Sequence, residues 1–282
     1  MEQRYAVITG ASGGMGVEIT RAVAKAGYVV LMICRQTEKA ESVRQRLLKE
    51  EGDISLEVMQ VDLSSMESVN AFAEEVTGRG ISISLLMNNA ATMETGLHLT
   101  DEGWERTVAV NYLAPYLLTN KLLPLMKPGS RIVNMVSCTY VAGCLDYPFF
   151  FRQGRRGSFR RLSVYSNTKL ALLLFTLRLS EKLKEQGITV NAADPGVVST
   201  NMITMHRWFD PLTDIFFRPF IRTPEQGAAT AVGLLLDKEV ASVTGKLYAG
   251  NRQKALSLKY ADPAQRERLW EETAHLLAEW LV

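Results

Sequence analysis

Thr9-Gly10-Ala11-Ser12-Gly13-Gly14-Met15-Gly16 follows the strand-like run Arg4-Tyr5-Ala6-Val7-Ile8 directly and opens a stretch with helical spacing. Glycine is needed where a chain turns sharply and where backbone must approach a phosphate closely. A helix that begins at such a turn offers free N–H groups and a positive dipole end to an anion. A glycine cluster alone says little, but one between the first strand and the first helix of a chain says much more. The stretch fits three spacings: Gly-x3-Gly-x-Gly through Gly10, Gly14 and Gly16; Gly-x2-Gly-x2-Gly through Gly10, Gly13 and Gly16; and Gly-x-Ser-x-Gly centred on Ser12. The last is the nucleophile elbow of α/β-hydrolases, and it fails on context. That fold needs earlier strands to build an oxyanion loop, and only one strand precedes Ser12. The choice between the other two rests on residues further along the chain.

Downstream, short apolar runs alternate with helical patterns. Strands are expected at Tyr5–Thr9, Tyr28–Cys34, Leu56–Val61, Ser84–Met87, Arg131–Ser137, Thr189–Ala193 and Lys246–Ala249. Helices are expected near Met15–Ala26, Thr37–Glu50, Ser65–Thr77, Asp101–Met126, Val164–Glu185, Pro224–Leu236 and Pro263–Trp280. Such alternation predicts an α/β fold: a Rossmann-type, doubly wound parallel sheet of about seven strands with helices on both faces. The 282 residues fit one such domain, spanning 1–282, and the 47% hydrophobic content supplies its core. A net charge of +2 argues against nucleic acid as a partner. Three cysteines without a C-x-x-C pair, and three scattered histidines, argue against a disulfide framework or a metal site. No signal peptide is read at the N-terminus, and the apolar run Leu170–Leu177 is too short to span a bilayer. A soluble cytoplasmic protein is expected.

The second strand ends at Cys34-Arg35, and position 35 lies 19 residues beyond Gly16. An acid at this place would bind the free ribose hydroxyl of NAD. The arginine found instead suits the 2′-phosphate of NADP, with Lys39 near enough to assist. NADP(H) is therefore the expected cofactor, with NAD less favoured. Asp62, followed by Leu63, ends the third strand and is a candidate for the adenine, or for a helix N-cap.

Tyr165-Ser166-Asn167-Thr168-Lys169 places a phenol and an ammonium one helical turn apart on the same side. A neighbouring cation favours the phenolate, so the expectation is a tyrosine that exchanges its proton closer to neutral pH. Ser137 closes the fifth strand, at the edge where open α/β sheets bind ligands. Asn88-Asn89-Ala90-Ala91 ends the fourth. Asn111 stands among Val108, Val110, Tyr112 and Leu113, an odd place for a polar residue unless it bonds something specific. A water link toward Lys169 is one such role.

Taken in order, the glycine loop, the Asn-Asn-Ala motif, Asn111, Ser137, Tyr165-x3-Lys169 and Asp194-Pro195-Gly196-Val197-Val198-Ser199-Thr200 resemble the short-chain dehydrogenases/reductases over essentially the whole chain. Asn-Asn-Ala-Ala departs slightly from the usual Asn-Asn-Ala-Gly, and a single serine before Cys138 replaces a frequent Ser-Ser. The resemblance implies Tyr165 as proton donor or acceptor and Lys169 as its activator and ribose anchor. It implies Ser137 as orienter of the carbonyl and Asn111 as holder of a relay water. It implies a cofactor shell of Gly10, Ser12, Gly14, Met15, Gly16, Arg35, Lys39, Asp62, Leu63, Asn89, Ala90, Tyr165, Lys169, Pro195, Gly196, Val198 and Thr200. Cys34-Arg35, the 28 positions from Ser137 to Tyr165, and Thr223-Pro224-Glu225-Gln226-Gly227 resemble the retinol dehydrogenase-like group, which includes protochlorophyllide reductases and favours lipophilic substrates. The expected reaction moves a hydride between nicotinamide and a carbonyl or alcohol carbon of a small molecule. The competing readings are a catalytically silent NADP-binding sensor or scaffold, and a nucleotide-sugar epimerase with tightly held NAD. The resemblance also suggests a homo-oligomer, a dimer or a tetramer.

Two segments break the alternation. Residues 144–163 carry five arginines and five aromatics against one acid, Asp146. They are read as a surface insertion whose aromatics pack on the domain, with peripheral contact to an anionic lipid surface as the sharper alternative. Residues 204–223 are rich in Phe and Trp, and are read as an apolar lid over the substrate, or as a buried helix or subunit contact.

Overall fold

The computed structural model of the protein describes residues 3–198, 222–257, 260 and 262–281. The chain runs β1 (Tyr5–Thr9), α1 (Gly14–Lys25), β2 (Val29–Cys34), α2 (Thr37–Glu51), β3 (Ser55–Gln60), α3 (Met66–Gly78) and β4 (Ile83–Asn88). Next, α4 (Arg106–Val108) passes through a π-helical turn (Ala109–Leu113) into α5 (Ala114–Leu122). The remainder is β5 (Met126–Met135), α6 (Tyr147–Gln153), α7 (Arg161–Lys182), β6 (Thr189–Asp194), α8 (Pro224–Leu236), β7 (Leu247–Ala249), β8 (Arg252–Lys254) and α9 (Pro263–Leu276).

The strands form one sheet in the order β3-β2-β1-β4-β5-β6-β7-β8. All neighbours are parallel except the last pair, β7 and β8. The strand order turns back on itself between β1 and β4, and ligands of such sheets bind at that switch point, beyond the carboxyl ends of the strands. Burial on both faces explains the unbroken apolar runs. Along β2, Leu31 and Ile33 enter one core while Val30, Met32 and Cys34 enter the other. The first core lies under α3, α5 and α7; the second lies under α1, α2 and α8. Helix α9 seals the first: Trp270 stacks on Phe175 at 5.9 Å, and the Thr273 and Tyr112 hydroxyls are hydrogen-bonded at 2.7 Å.

One expectation, the continuous helix over 101–126, is corrected, and the structure adds detail to two others. The sheet has an eighth strand, the short antiparallel edge β8. The helix expected over 101–126 is three pieces: Glu105 caps its start, accepting the Val108 N–H at 2.8 Å; a π turn interrupts it at Asn111; and the chain is already extended at Met126. The segment 144–163 contains α6, whose Phe150 and Phe151 are buried, with Arg156 paired to Asp146 at 2.8 Å. Of the segment 204–223, only Arg222 and Thr223 lie among the described residues. No helix among the described residues is long and apolar enough to cross a membrane.

Candidate active site

The glycine loop is built by backbone contacts that exclude side chains. Gly10 adopts φ +66°, donates its N–H to Ile33 O at 2.9 Å, and leaves a gap of 3.0 Å between an added Cβ and Ala90 Cα. At Gly16 an added Cβ would stand 2.1 Å from the carbonyl oxygen of Gly10. Helix α1 has Gly13 as its N-cap, with no side-chain cap and no acid in its first turn. Its first N–H groups therefore face the loop uncapped, as an anion site requires. Ser12 and Met15 sit half-buried beside them and Gly14 is exposed.

Asn89 and Ala90 brace this loop. Asn89 Nδ2 donates to Thr9 O at 3.0 Å, and the Thr9 hydroxyl accepts the N–H groups of Asn89 and Ala90 at 2.9 and 3.0 Å. The Asn-Asn-Ala motif thus ties the end of β4 to the end of β1. Thr9 is a site residue that glycine spacing alone does not reveal, although its place before Gly10 was the available signal. Arg35 and Lys39 are exposed at the end of β2 and the start of α2, and neither side chain makes a hydrogen bond or ion pair among the described residues. Asp62 is not the helix cap. Its Oδ1 accepts the Ser64 N–H and hydroxyl at 2.9 and 2.7 Å, while Ser65 caps α3. Leu63 beside it is buried. On the far side, Gly196 turns at φ +74° below the Arg222 guanidinium, which donates to Pro195 O at 3.2 Å. Val198 pairs with Arg222 and is buried against Gly227 of α8, where an added Cβ would come within 2.6 Å of it. Thr200 lies outside the described residues.

The candidate acid–base residues converge at the end of β5. Ser137 neighbours the Tyr165 hydroxyl, and Lys169 Nζ lies 5.4 Å from the Tyr165 ring centroid. Lys169 is fully buried and donates to Met135 O at 2.8 Å. Asn111 is buried in the π turn. Its amide donates to Thr92 O at 2.9 Å and Thr168 Oγ1 at 3.1 Å, and its Oδ1 accepts the Thr92 N–H at 2.8 Å. Thr168 in turn donates to Tyr165 O at 2.7 Å. The Asn111 side chain is thus a clamp between the loop after β4 and the helix that carries Tyr165 and Lys169.

The protein's own groups do not lower the Tyr165 phenol as the Tyr-x3-Lys spacing suggested. Burial pushes it up to about 12, opposed by the neighbouring Ser137, and the charge of Asp194 adds to the rise. Burial pushes Lys169 down to about 7, opposed by Asp194. A lysine near 7 in the fold and near ~10.4 in the unfolded chain makes folding bind fewer protons between those values, so stability rises with pH across that window. Below pH 7 the buried ammonium costs its full penalty. Lys169→Met is therefore expected to be roughly 2–3 kcal/mol more stable than the parent at pH 6, after losing the hydrogen bond to Met135 O. The advantage should vanish by pH 10. Urea denaturation at pH 6, 8 and 10 checks this, and parallel stability curves would contradict it.

Two shallow hollows of about 280 and 300 Å³ lie at the opposite rim of the sheet, and none of the predicted site residues lines either. Among the described residues no three of His, Cys, Asp or Glu are grouped to hold a metal ion.

A glycine loop at the switch point beside a Ser-Tyr-Lys cluster defines a dinucleotide-dependent oxidoreductase fold. The chain belongs to the short-chain dehydrogenase/reductase family, in its retinol dehydrogenase-like group. Residues 10–249 match the family model described as enoyl-(acyl carrier protein) reductase. Retinol dehydrogenase 13 of Mus musculus is 34% identical over 278 residues, 96% of this chain and 83% of its own length. The crystal structure of an uncharacterized protein from Mycobacterium paratuberculosis matches with a TM-score of 0.78 at 27% identity, covering 98% of this chain and 93% of its own. A blue fluorescent protein from a metagenomic library, in complex with NADPH, matches with a TM-score of 0.69 at 26% identity, covering 88% and 96%.

Proposed function

We propose that the protein is an NADP(H)-dependent oxidoreductase that interconverts a carbonyl and an alcohol on a lipophilic substrate, with Tyr165 as the acid–base group. The observation that carries this reading is the Tyr165 hydroxyl, beside Ser137 and backed by the buried Lys169, at the switch point beside the glycine loop. When bound, the nicotinamide supplies or accepts the hydride. Tyr165 gives a proton to the substrate oxygen in reduction and takes one in oxidation. Ser137 holds that oxygen against the phenol. Lys169 lies behind the ring, from where it would also hold the ribose of a bound cofactor, and Asn111 would hold a relay water.

The residues present fit the cofactor. The uncapped start of α1 and the close backbone at Gly10 and Gly16 suit a pyrophosphate. Arg35 and Lys39 suit a 2′-phosphate. Arg35→Asp is expected to weaken NADPH binding about 10–100-fold, the worth of one or two charge-assisted hydrogen bonds, and to leave NADH unchanged or improved. Fluorescence titration with both nucleotides measures the ratio, and an unaltered ratio would remove Arg35 from the phosphate site. The lipophilic substrate is supported by the exposed Leu97, Leu99, Val141, Leu162 and Val197, all in segments at the carboxyl rim of the sheet, and by the similarity to a retinol dehydrogenase. The decisive assay follows NADPH oxidation over ring ketones, apolar aldehydes and an enoyl thioester. Reduction of the ketones or aldehydes is expected. Turnover of the thioester alone, or of nothing, would overturn the proposal.

A further inference from the structure

Asp194 closes β6 and is buried, 7% exposed. Its Oδ1 accepts the Gly196 N–H at 2.9 Å, which satisfies one oxygen but leaves a full negative charge inside the protein. The pleat fixes where that charge points. Ala192 belongs to the core under α7 and Ala193 to the core under α1 and α8, so alternation sends the Asp194 side chain to the α7 face. Tyr165 and Lys169 are on α7. The register brings the groups together: Ala193 lies opposite Met135, whose carbonyl holds Lys169 Nζ at 2.8 Å. Among the described residues, Asp194 is the one carboxylate whose charge acts on Lys169.

We propose that Asp194 is a positioning residue, the counter-charge that keeps Lys169 an ammonium and Tyr165 a phenol and so sets the pair as a proton donor for carbonyl reduction near neutral pH. The proposal rests on the oxidoreductase reading above. Reducing a carbonyl takes one hydride, supplied by the reduced nicotinamide, and one proton, which leaves the Tyr165 hydroxyl; oxidation returns both. An anion beneath the pair favours the protonated form of each group. It opposes burial at Lys169 and reinforces burial at Tyr165. The other titratable groups around it are Cys138 and Tyr140 on the turn after β5, and Arg222 above Gly196. Across the strand pair β7 places Ala249 opposite Asp194, while Tyr248 packs in the other core.

Asp194→Asn removes the charge and keeps the oxygen that accepts the Gly196 N–H. Lysine carrying ¹³C and ¹⁵N, with the Lys169 resonance assigned from Lys169→Met, reports its titration without any substrate. The Lys169 midpoint is expected to fall by about one pH unit or more in the variant. The rising limb of alcohol oxidation should move to lower pH by a similar amount. An unmoved Lys169 midpoint, or a loss of rate equal at every pH, would make Asp194 merely structural and overturn the proposal. If no carbonyl or alcohol turns over, the oxidoreductase reading fails while the lysine titration still decides the role of Asp194. Should the asparagine variant not fold, Asp194→Ser removes the same charge and retains an acceptor.

Discussion

Tyr165→Phe will lower turnover about 10³-fold, within the usual range for a positioned acid–base group, while changing NADP(H) affinity less than about threefold. The ring is retained, so the packing of α7 and the contact with Lys169 Nζ behind the ring survive. Only the hydroxyl beside Ser137 is lost. No neighbour can replace it. The Ser137 hydroxyl does not ionise in the accessible range. Lys169 Nζ is buried on Met135 O, and the Asn111 side chain is spent on Thr92 and Thr168. Exposed Cys138 is the remaining proton carrier nearby, and its thiol would have to enter from the turn after β5. The measurement is kcat for the substrate found in the carbonyl assay, with nucleotide titration in parallel. A variant keeping a tenth or more of the parent's turnover would remove Tyr165 from the chemistry. The pH profile adds a second check. Because burial holds the phenol at about 12, the parent's reduction rate should not lose its proton donor between pH 6 and 9.

The sequence carried the sheet because parallel strands buried on both faces are written as unbroken apolar runs. β1 and α8 begin and end where periodicity put them. β8 was invisible for the opposite reason: Arg252-Gln253-Lys254 is wholly exposed and has no apolar face to alternate. Its one trace was the preceding Gly250-Asn251, both with positive φ, the turn chemistry typical of a tight hairpin. The helix over 101–126 misled because its apolar positions continue through Leu125, while the π turn at Asn111 leaves hydrophobic spacing nearly intact. Tyr165, Lys169, Ser137 and Asn111 were legible as types at spacings. Their proton affinities were not, since those depend on depth of burial and on Asp194, which the pleat brings to the α7 face. Asp62 shows the same limit. A carboxylate at the end of β3 satisfies the pattern for an adenine contact or a cap, and only the folded chain shows Ser65 taking the cap.

The Asn-Asn-Ala motif and the chain length favour Gly10-x3-Gly14-x-Gly16 over the epimerase-like spacing, and a pair of alanine substitutions tests that reading by sterics. At Gly16 an added Cβ would lie 2.1 Å from Gly10 O, 2.9 Å from Gly10 C and 3.0 Å from Asn89 Nδ2. None of these can yield cheaply. Gly10 sits at φ +66° with its N–H on Ile33 O, and Asn89 Nδ2 is held by Thr9 O, so relief requires α1 to move away from β1 and β4. Helix α1 is itself pinned by α8, where Met15 and Val198 press on Gly227. Gly16→Ala is therefore expected to cost about 3 kcal/mol or more in stability. NADP(H) affinity should fall at least tenfold, because the helix start and the turn no longer meet one pyrophosphate. Gly13 is the contrast. Its backbone is ordinary extended chain at φ −101°, and an added Cβ meets only Gly10 O, at 3.6 Å. Gly13→Ala should stay within about 1 kcal/mol of the parent, the usual cost of alanine at an N-cap. Denaturation and nucleotide titration of the two variants separate the readings. Gly10-x3-Gly14-x-Gly16 stands if only Gly16→Ala fails. Equal losses at Gly13 and Gly16 would favour Gly10-x2-Gly13-x2-Gly16, and with it the epimerase-like branch.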